Sequence, residues 1–179
     1  MRFGAVAATF SALIPDIFRG DFTLNGGKVM ILRGSNKMDK RELLEKTLDS
    51  ELLRFLGVRI ESVEAEKVVL SMQVAPHVHQ YIGIMNGGVS LVLAETAASI
   101  GAVMRSDLTK VAPVGIEINA NHLRAVSRGR VTALATSVYH GKTISVWQIE
   151  IKDERQRLVC VSRCTIALRK GGATVIDKK

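Results

Sequence analysis

From Val89 to Met104 the chain runs sixteen residues with a single charge, Glu95. The stretch lies within HQYIGIMNGGVSLVLAET and its continuation AASIGAVM. It is too short for a bilayer span, and a central carboxylate is costly in lipid. A helix that is apolar on all sides must be buried on all sides. The segment therefore reads as a core helix wrapped by a sheet, with one acid inside it.

The flanking sequence supplies that sheet. MDKRELLEKTLDSELLRFLGV places Leu43, Leu44, Leu48, Leu52 and Phe55 on one helical stripe, with Gly57 as its stop. VRIESVEAEKVVLSMQV reads as two strands around the turn EAEK. After the apolar helix, VGIEINANHL alternates, with Val114, Ile116 and Ile118 on one face and Glu117, Asn119 and Asn121 on the other. Three more strands follow, separated by SRGR, HGK and KDERQ, and such short turns imply antiparallel neighbours. The expected class is α+β, an antiparallel sheet of about six strands around one long central helix. The expected domain spans residues 38–170, with 171–179 a loose tail. Residues 1–37 carry five basic and two acidic residues around a short apolar run. They read as a poorly ordered extension or an early-called start, with Met30 and Met38 as alternative starts.

A net charge of +8 raises the question of anionic partners. The cations are scattered rather than blocked, and aromatics at 4% are too few for a nucleic-acid stacking platform. An anionic small molecule is the better match, with neither nucleic acid nor a membrane as partner. Cys160 and Cys164, on one strand, would lie about 13 Å apart on the same face, too far for a disulfide. They read as small buried residues of a reducing compartment, which places the protein in the cytoplasm. His77 and His79 lack a third ligand at metal-site spacing, so no metal is expected.

Gly87 and Gly88 precede the apolar helix. Free N–H groups and the dipole make a helix start a socket for an anion or a carbonyl gaining negative charge. The same pair also suits a tight turn with close helix–sheet packing. Glu95 has two readings as well: a carboxylate hydrogen-bonded internally to Thr96 or Ser99, or a base or nucleophile with a raised pKa. Seven residues separate Gly88 from Glu95, about 10 Å along a helix axis. In a two-fold dimer with antiparallel helices, Gly88 can instead approach Glu95 of the partner subunit.

Together His-Gln, Gly-Gly, Ala-Glu and Asn-x-x-His, from Arg41 to Leu168, resemble the hotdog-fold acyl-CoA thioesterases. The branch most alike acts on aryl-CoA substrates: the hydroxybenzoyl-CoA, dihydroxynaphthoyl-CoA, phenylacetate-degradation and enterobactin-proofreading enzymes. The resemblance implies thioester hydrolysis by a homodimer or dimer of dimers, with no cofactor beyond the coenzyme A of the substrate. It implies that Glu95 attacks the thioester or activates water, and that the Gly87 or Gly88 N–H polarises the carbonyl. It places Gln80 near the water or carboxylate, Ser99 near the acyl pocket, and His122 in that same pocket. Asn86 stands where the family has histidine, and asparagine donates a hydrogen bond but moves no proton. For the phosphates of coenzyme A the candidates are Lys142, Arg128, Arg130 and Arg163. Two alternatives are a non-catalytic acyl-CoA sensor and a hotdog enoyl-CoA hydratase. The hydratases carry Asp-x-x-x-x-His, whereas Ile100 stands five residues after Glu95.

Overall fold

The computed structural model describes residues 22–24, 27–29 and 40–171. Within the span 1–37, β1 (Phe22–Leu24) and β2 (Gly27–Val29) pair antiparallel, with Phe22 opposite Val29. The rest of that span and residues 172–179, where an extension and a loose tail were expected, lie outside the described residues.

The helix expected around Leu43–Phe55 is two helices, α1 (Lys40–Leu48) and α2 (Glu51–Leu56). Ser50 causes the break: its hydroxyl accepts from Leu53 N–H at 3.3 Å as the N-cap of α2. Serine favours that role over a helix interior because its side chain competes for backbone partners. The break turns the apolar stripe. Leu53 and Leu56 are buried, whereas Leu52 and Phe55, expected on the core stripe, are exposed. Gly57, at φ 65°, ends α2: its N–H reaches Arg54 C=O at 3.1 Å, and Val58 N–H reaches Leu53 C=O at 3.0 Å.

Six strands form one antiparallel sheet: β3 (Arg59–Val63), β4 (Lys67–Val74), β5 (Val111–His122), β6 (Gly129–His140), β7 (Ile144–Asp153) and β8 (Leu158–Lys170). Their order is β3-β4-β6-β7-β8-β5. The inner face carries Val68, Leu70 and Met72 of β4, Val131, Ala133 and Ala135 of β6, and Ile149 and Ile151 of β7, all buried. The long helix α3 (Gly87–Arg105) packs on that face through Leu93, Ala94, Ala97 and Ala98. Gly101 permits the close approach: a Cβ there would overlap the Trp147 ring, whose Nε1–H donates to Ser145 Oγ at 2.8 Å. By length and composition α3 resembles a membrane span, but its sheet-facing side is core.

Full burial of α3 does not hold in this chain. Val92, Glu95, Thr96, Ser99 and Val103 form a half-buried outer stripe. A sheet covers one side of a helix, and among the described residues α1 and α2 are what reach toward the other.

The β7–β8 turn depends on Asp153. Its carboxylate accepts from Arg155 N–H and Arg157 N–H, both at 3.0 Å, and pairs with Arg157 Nη2 at 2.7 Å. The hydrogen bond from the Arg157 side chain holds this carboxyl below the usual carboxylate range. A depressed folded-state pKa stabilises the fold above the unfolded pKa, about 3.9. That stabilisation is lost as pH falls through the folded value. Asp153→Asn should therefore lower the melting temperature at neutral pH, and the difference from the parent should shrink below about pH 3. Thermal melts of both proteins across pH measure this.

Candidate active site

Glu95 lies on the outer stripe of α3, and its placement begins on β5. Cross-strand pairing joins Gly115 to Ile166, skips Ile116, and resumes at Glu117 with Thr165. Ile116 is thus the extra residue of a β-bulge. The bulge puts Gly115 and Ile118 on one face, opposite the buried residues Ile166 and Cys164. The alternation expected for Val114, Ile116 and Ile118 is broken by it: Val114 pairs with Ala167, and Ile116 is exposed.

The carboxylate of Glu95 occupies the space this creates. A Cβ on Gly115 would overlap Glu95 Oε1 and stand 3.4 Å from Cδ. Among the described residues Glu95 has no hydrogen bond or ion pair, so the internal bond to Thr96 or Ser99 is absent. Beside it Cys164 is buried, and burial, reinforced by the charges of Glu95 and Glu117, pushes its thiol up to about 12. That thiol is no nucleophile at neutral pH. Cys160 is also free and buried.

Glu95 opens onto a cleft of about 340 Å³ between α3 and the α1–α2 segment. Ser99 and Thr96 line it, as do Leu43, Leu52 and Val103. Ser99, one helical turn after Glu95, lines the same cleft as the carboxylate.

The second group of candidates gathers at the N-terminus of α3. Asn86 is its N-cap, accepting from Gly88 N–H at 2.8 Å. Asparagine is among the best N-caps, which gives Asn86 a structural role. It also occupies the Gly88 donor. The Gly87 N–H has no hydrogen-bond partner among the described residues. Gln80 lies in the preceding turn, its N–H on Ile84 C=O at 2.8 Å.

His122 also belongs to this end. From the last position of β5 its ring covers Gly87: a Cβ there would stand 2.8 Å from Nε2. Within one chain His122 is not among the described residues that line the Glu95 cleft. Glu95 meets β5 at Gly115, and seven residues of strand, about 23 Å, separate that position from His122.

The proposed phosphate contacts divide. Arg128 and Arg130 are exposed where β6 begins, at the sheet end that carries His122. Arg124 and Arg155 are exposed at that end too, and none of the four has an ion pair among the described residues. Lys142 sits beyond the far end of β6, about 40 Å along the strand. Arg163 is exposed on the outer face of β8, opposite Asn119 and Gln148. These two cannot share one phosphate site with Arg128 within a chain. His77 meets Phe55 edge-on at 5.3 Å, and His79 Nε2 lies 2.9 Å from Ser127 C=O.

Sequence reasoning missed Gly115, Arg124 and Arg155. Gly115 had a signal, because a glycine inside a strand marks a bulge or a close approach. The arginines had none, since their grouping depends on loops brought together by the sheet.

Comparison with known proteins supplies the family. Residues 82–160 match the thioesterase superfamily. A 1,4-dihydroxy-2-naphthoyl-CoA hydrolase of Listeria monocytogenes is 49% identical over 115 residues, covering 64% of this chain and 93% of that protein. The chain belongs to the thioesterase superfamily. A hydrolase of the same name from Escherichia coli is 36% identical, covering 71% of this chain and 93% of that protein. A solved glutamine-to-alanine mutant of a Pseudomonas aeruginosa thioesterase has a TM-score of 0.70 at 34% identity, over 76% of this chain and 98% of that one. A Haemophilus influenzae thioesterase gives 0.68 at 35%, over 79% and 96%. The six-stranded antiparallel sheet around α3 is the hotdog fold of these thioesterases.

Gly115 offers a test of the site that spares the fold. Its backbone is not left-handed, and the atom a new Cβ would displace is the tip of a flexible side chain. Gly115→Ala should move the Glu95 carboxylate and lower thioester turnover by about tenfold or more. Its melting temperature should stay within a few degrees of the parent. Steady-state kinetics and thermal melts read both.

Proposed function

We propose that this thioesterase hydrolyses acyl-CoA thioesters, aryl-CoA included, with Glu95 as base or nucleophile. The observation that carries the reading is the unpaired Glu95 carboxylate, braced against Gly115 at the edge of an apolar cleft. The relatives named as dihydroxynaphthoyl-CoA hydrolases support an aryl-CoA among the substrates.

In this scheme Glu95 takes a proton from water, whose oxygen attacks the thioester carbonyl, or attacks that carbon itself. The carbonyl oxygen becomes an oxyanion held by the Gly87 N–H, and a donor of this kind is typically worth about 3 kcal/mol. Collapse breaks the carbon–sulfur bond. With water as nucleophile the acyl half leaves as the acid, and the thiolate of coenzyme A takes up the proton that Glu95 drew from water. When the carboxylate attacks directly, the thiolate leaves first, and water then cleaves the resulting anhydride and supplies the thiolate's proton. The scheme uses no metal.

Gly87 and Glu95 of one chain stand about 12 Å apart along α3. The working unit is therefore a two-fold dimer, in which Gly87 of one protomer faces Glu95 of the partner subunit. Such a dimer also brings Gln80 and His122 to the partner's carboxylate, which reconciles His122 with an acyl-end role. Exposed Val114 and Ile116 on the edge strand β5 give the dimer an apolar seam. Arg124, Arg128, Arg130 and Arg155 offer charge to the phosphates of coenzyme A. Two free cysteines suit the reducing cytoplasm.

Thiol release over a panel of acyl- and aryl-CoA thioesters tests the activity. The parent should turn over at least one substrate class, and Glu95→Gln should lower kcat by a hundredfold or more, on the order expected for a lost base. Parent-like turnover by the variant would exclude the mechanism. Binding without turnover by the parent would identify an acyl-CoA sensor.

A further inference from the structure

We infer that α1 and the start of α2 form the specificity wall of the acyl pocket, with Leu43, Thr47 and Leu52 setting which acyl group is accepted. The inference rests on the proposed thioesterase reading of the Glu95 cleft.

The two sides of the cleft are held differently. Its inner side is α3, fixed on the sheet by Leu93, Ala94, Ala97 and Ala98. Its outer side is a nine-residue helix followed by a break at Asp49–Ser50. Leu44 of α1 is buried, and Lys40 Nζ donates to Met104 C=O at 2.9 Å, near the C-terminus of α3. Burial lowers the Lys40 pKa, and the charge of Asp107 opposes that shift. Among the described residues, the Lys40 cap and the buried Leu44 and Leu53 position the wall, while Leu43 and Thr47 remain half-buried toward the cleft and Leu52 stays exposed.

The lining decides which end of the substrate enters. Among the described residues that line it, most are aliphatic, none is an arginine, lysine or aromatic, and the one charge is the Glu95 carboxylate. A nucleotide carrying phosphates is repelled there, and an uncharged acyl group is accepted. At interior packing density, about 340 Å³ holds on the order of a dozen non-hydrogen atoms. A medium-length chain or a bicyclic ring fills that space, and a long fatty acyl chain would extend beyond it. The wall acts by size. Leu43 and Leu52 supply apolar contact, whereas the Thr47 hydroxyl is turned back onto Leu43 C=O at 2.8 Å.

The test compares the parent with Leu43→Trp, Leu43→Ala and Thr47→Leu on acetyl-, hexanoyl-, decanoyl- and benzoyl-CoA. Leu43→Trp and Thr47→Leu should lower kcat/KM for decanoyl- and benzoyl-CoA relative to acetyl-CoA by tenfold or more, mainly through KM. Leu43→Ala should shift the ratio toward decanoyl-CoA. Calorimetric binding of unhydrolysable thioether analogues of the same acyl groups to Glu95→Gln protein should follow the same order. This second measurement reads the wall even if the protein hydrolyses nothing, so failure of the thioesterase reading is seen separately. Selectivity ratios and binding orders within twofold of the parent, in variants that melt as cooperatively as the parent, would overturn the inference.

Discussion

The contact on which the rest depends is Glu95 lying over Gly115. An ionisable group half-buried in a hydrophobic helix needs space and access to water or a ligand. Gly115 provides the space by having no side chain, and the bulge at Ile116 turns that glycine inward. Without the bulge, residues 115 and 118 would face opposite sides of β5, and either Ile118 would leave the core or Gly115 would leave the acid. One inserted residue thus satisfies packing below and the carboxylate above. Cys164, one strand over, is a thiol kept neutral beside the acid.

The far end of α3 follows a different logic. Asn86 closes the helix by accepting from Gly88, which leaves the Gly87 N–H without a partner among the described residues. A histidine at this position would form a poorer cap and bring a proton; asparagine gives a firmer helix start and none. His122 over Gly87 keeps an imidazole at the same donor from another strand. In the proposed mechanism the polar machinery is divided along α3, acid at the middle and donor at the start, and the proposed two-fold dimer is what would bring the two together.

Much of this architecture was legible in the residues. Alternation and short turns marked the six strands, and the run from Val89 to Met104 marked the core helix, because local periodicity reports which faces are buried. Gly57 read correctly as a helix stop. The break at Ser50 had a local signal, a serine able to cap, which the continuous leucine stripe outweighed. The bulge at Ile116 did not follow from alternation, since it answers a contact with a side chain twenty residues earlier. The split of the basic candidates was equally hidden. Lys142 and Arg128 look close in sequence, yet a strand of twelve residues holds them at opposite ends of the sheet. In the other direction, Arg124 and Arg155 are distant in sequence and share one end.

A structure bound to an unhydrolysable acyl-CoA ketone, with a methylene between carbonyl and sulfur, tests the central claim most directly. The account predicts a carbonyl carbon within about 3.5 Å of a Glu95 carboxylate oxygen. The ketone oxygen should lie on a Gly87 N–H contributed by the second protomer, with the acyl group in the cleft under α1. A ligand bound with its carbonyl remote from Glu95, or a complete site within one protomer, would contradict it.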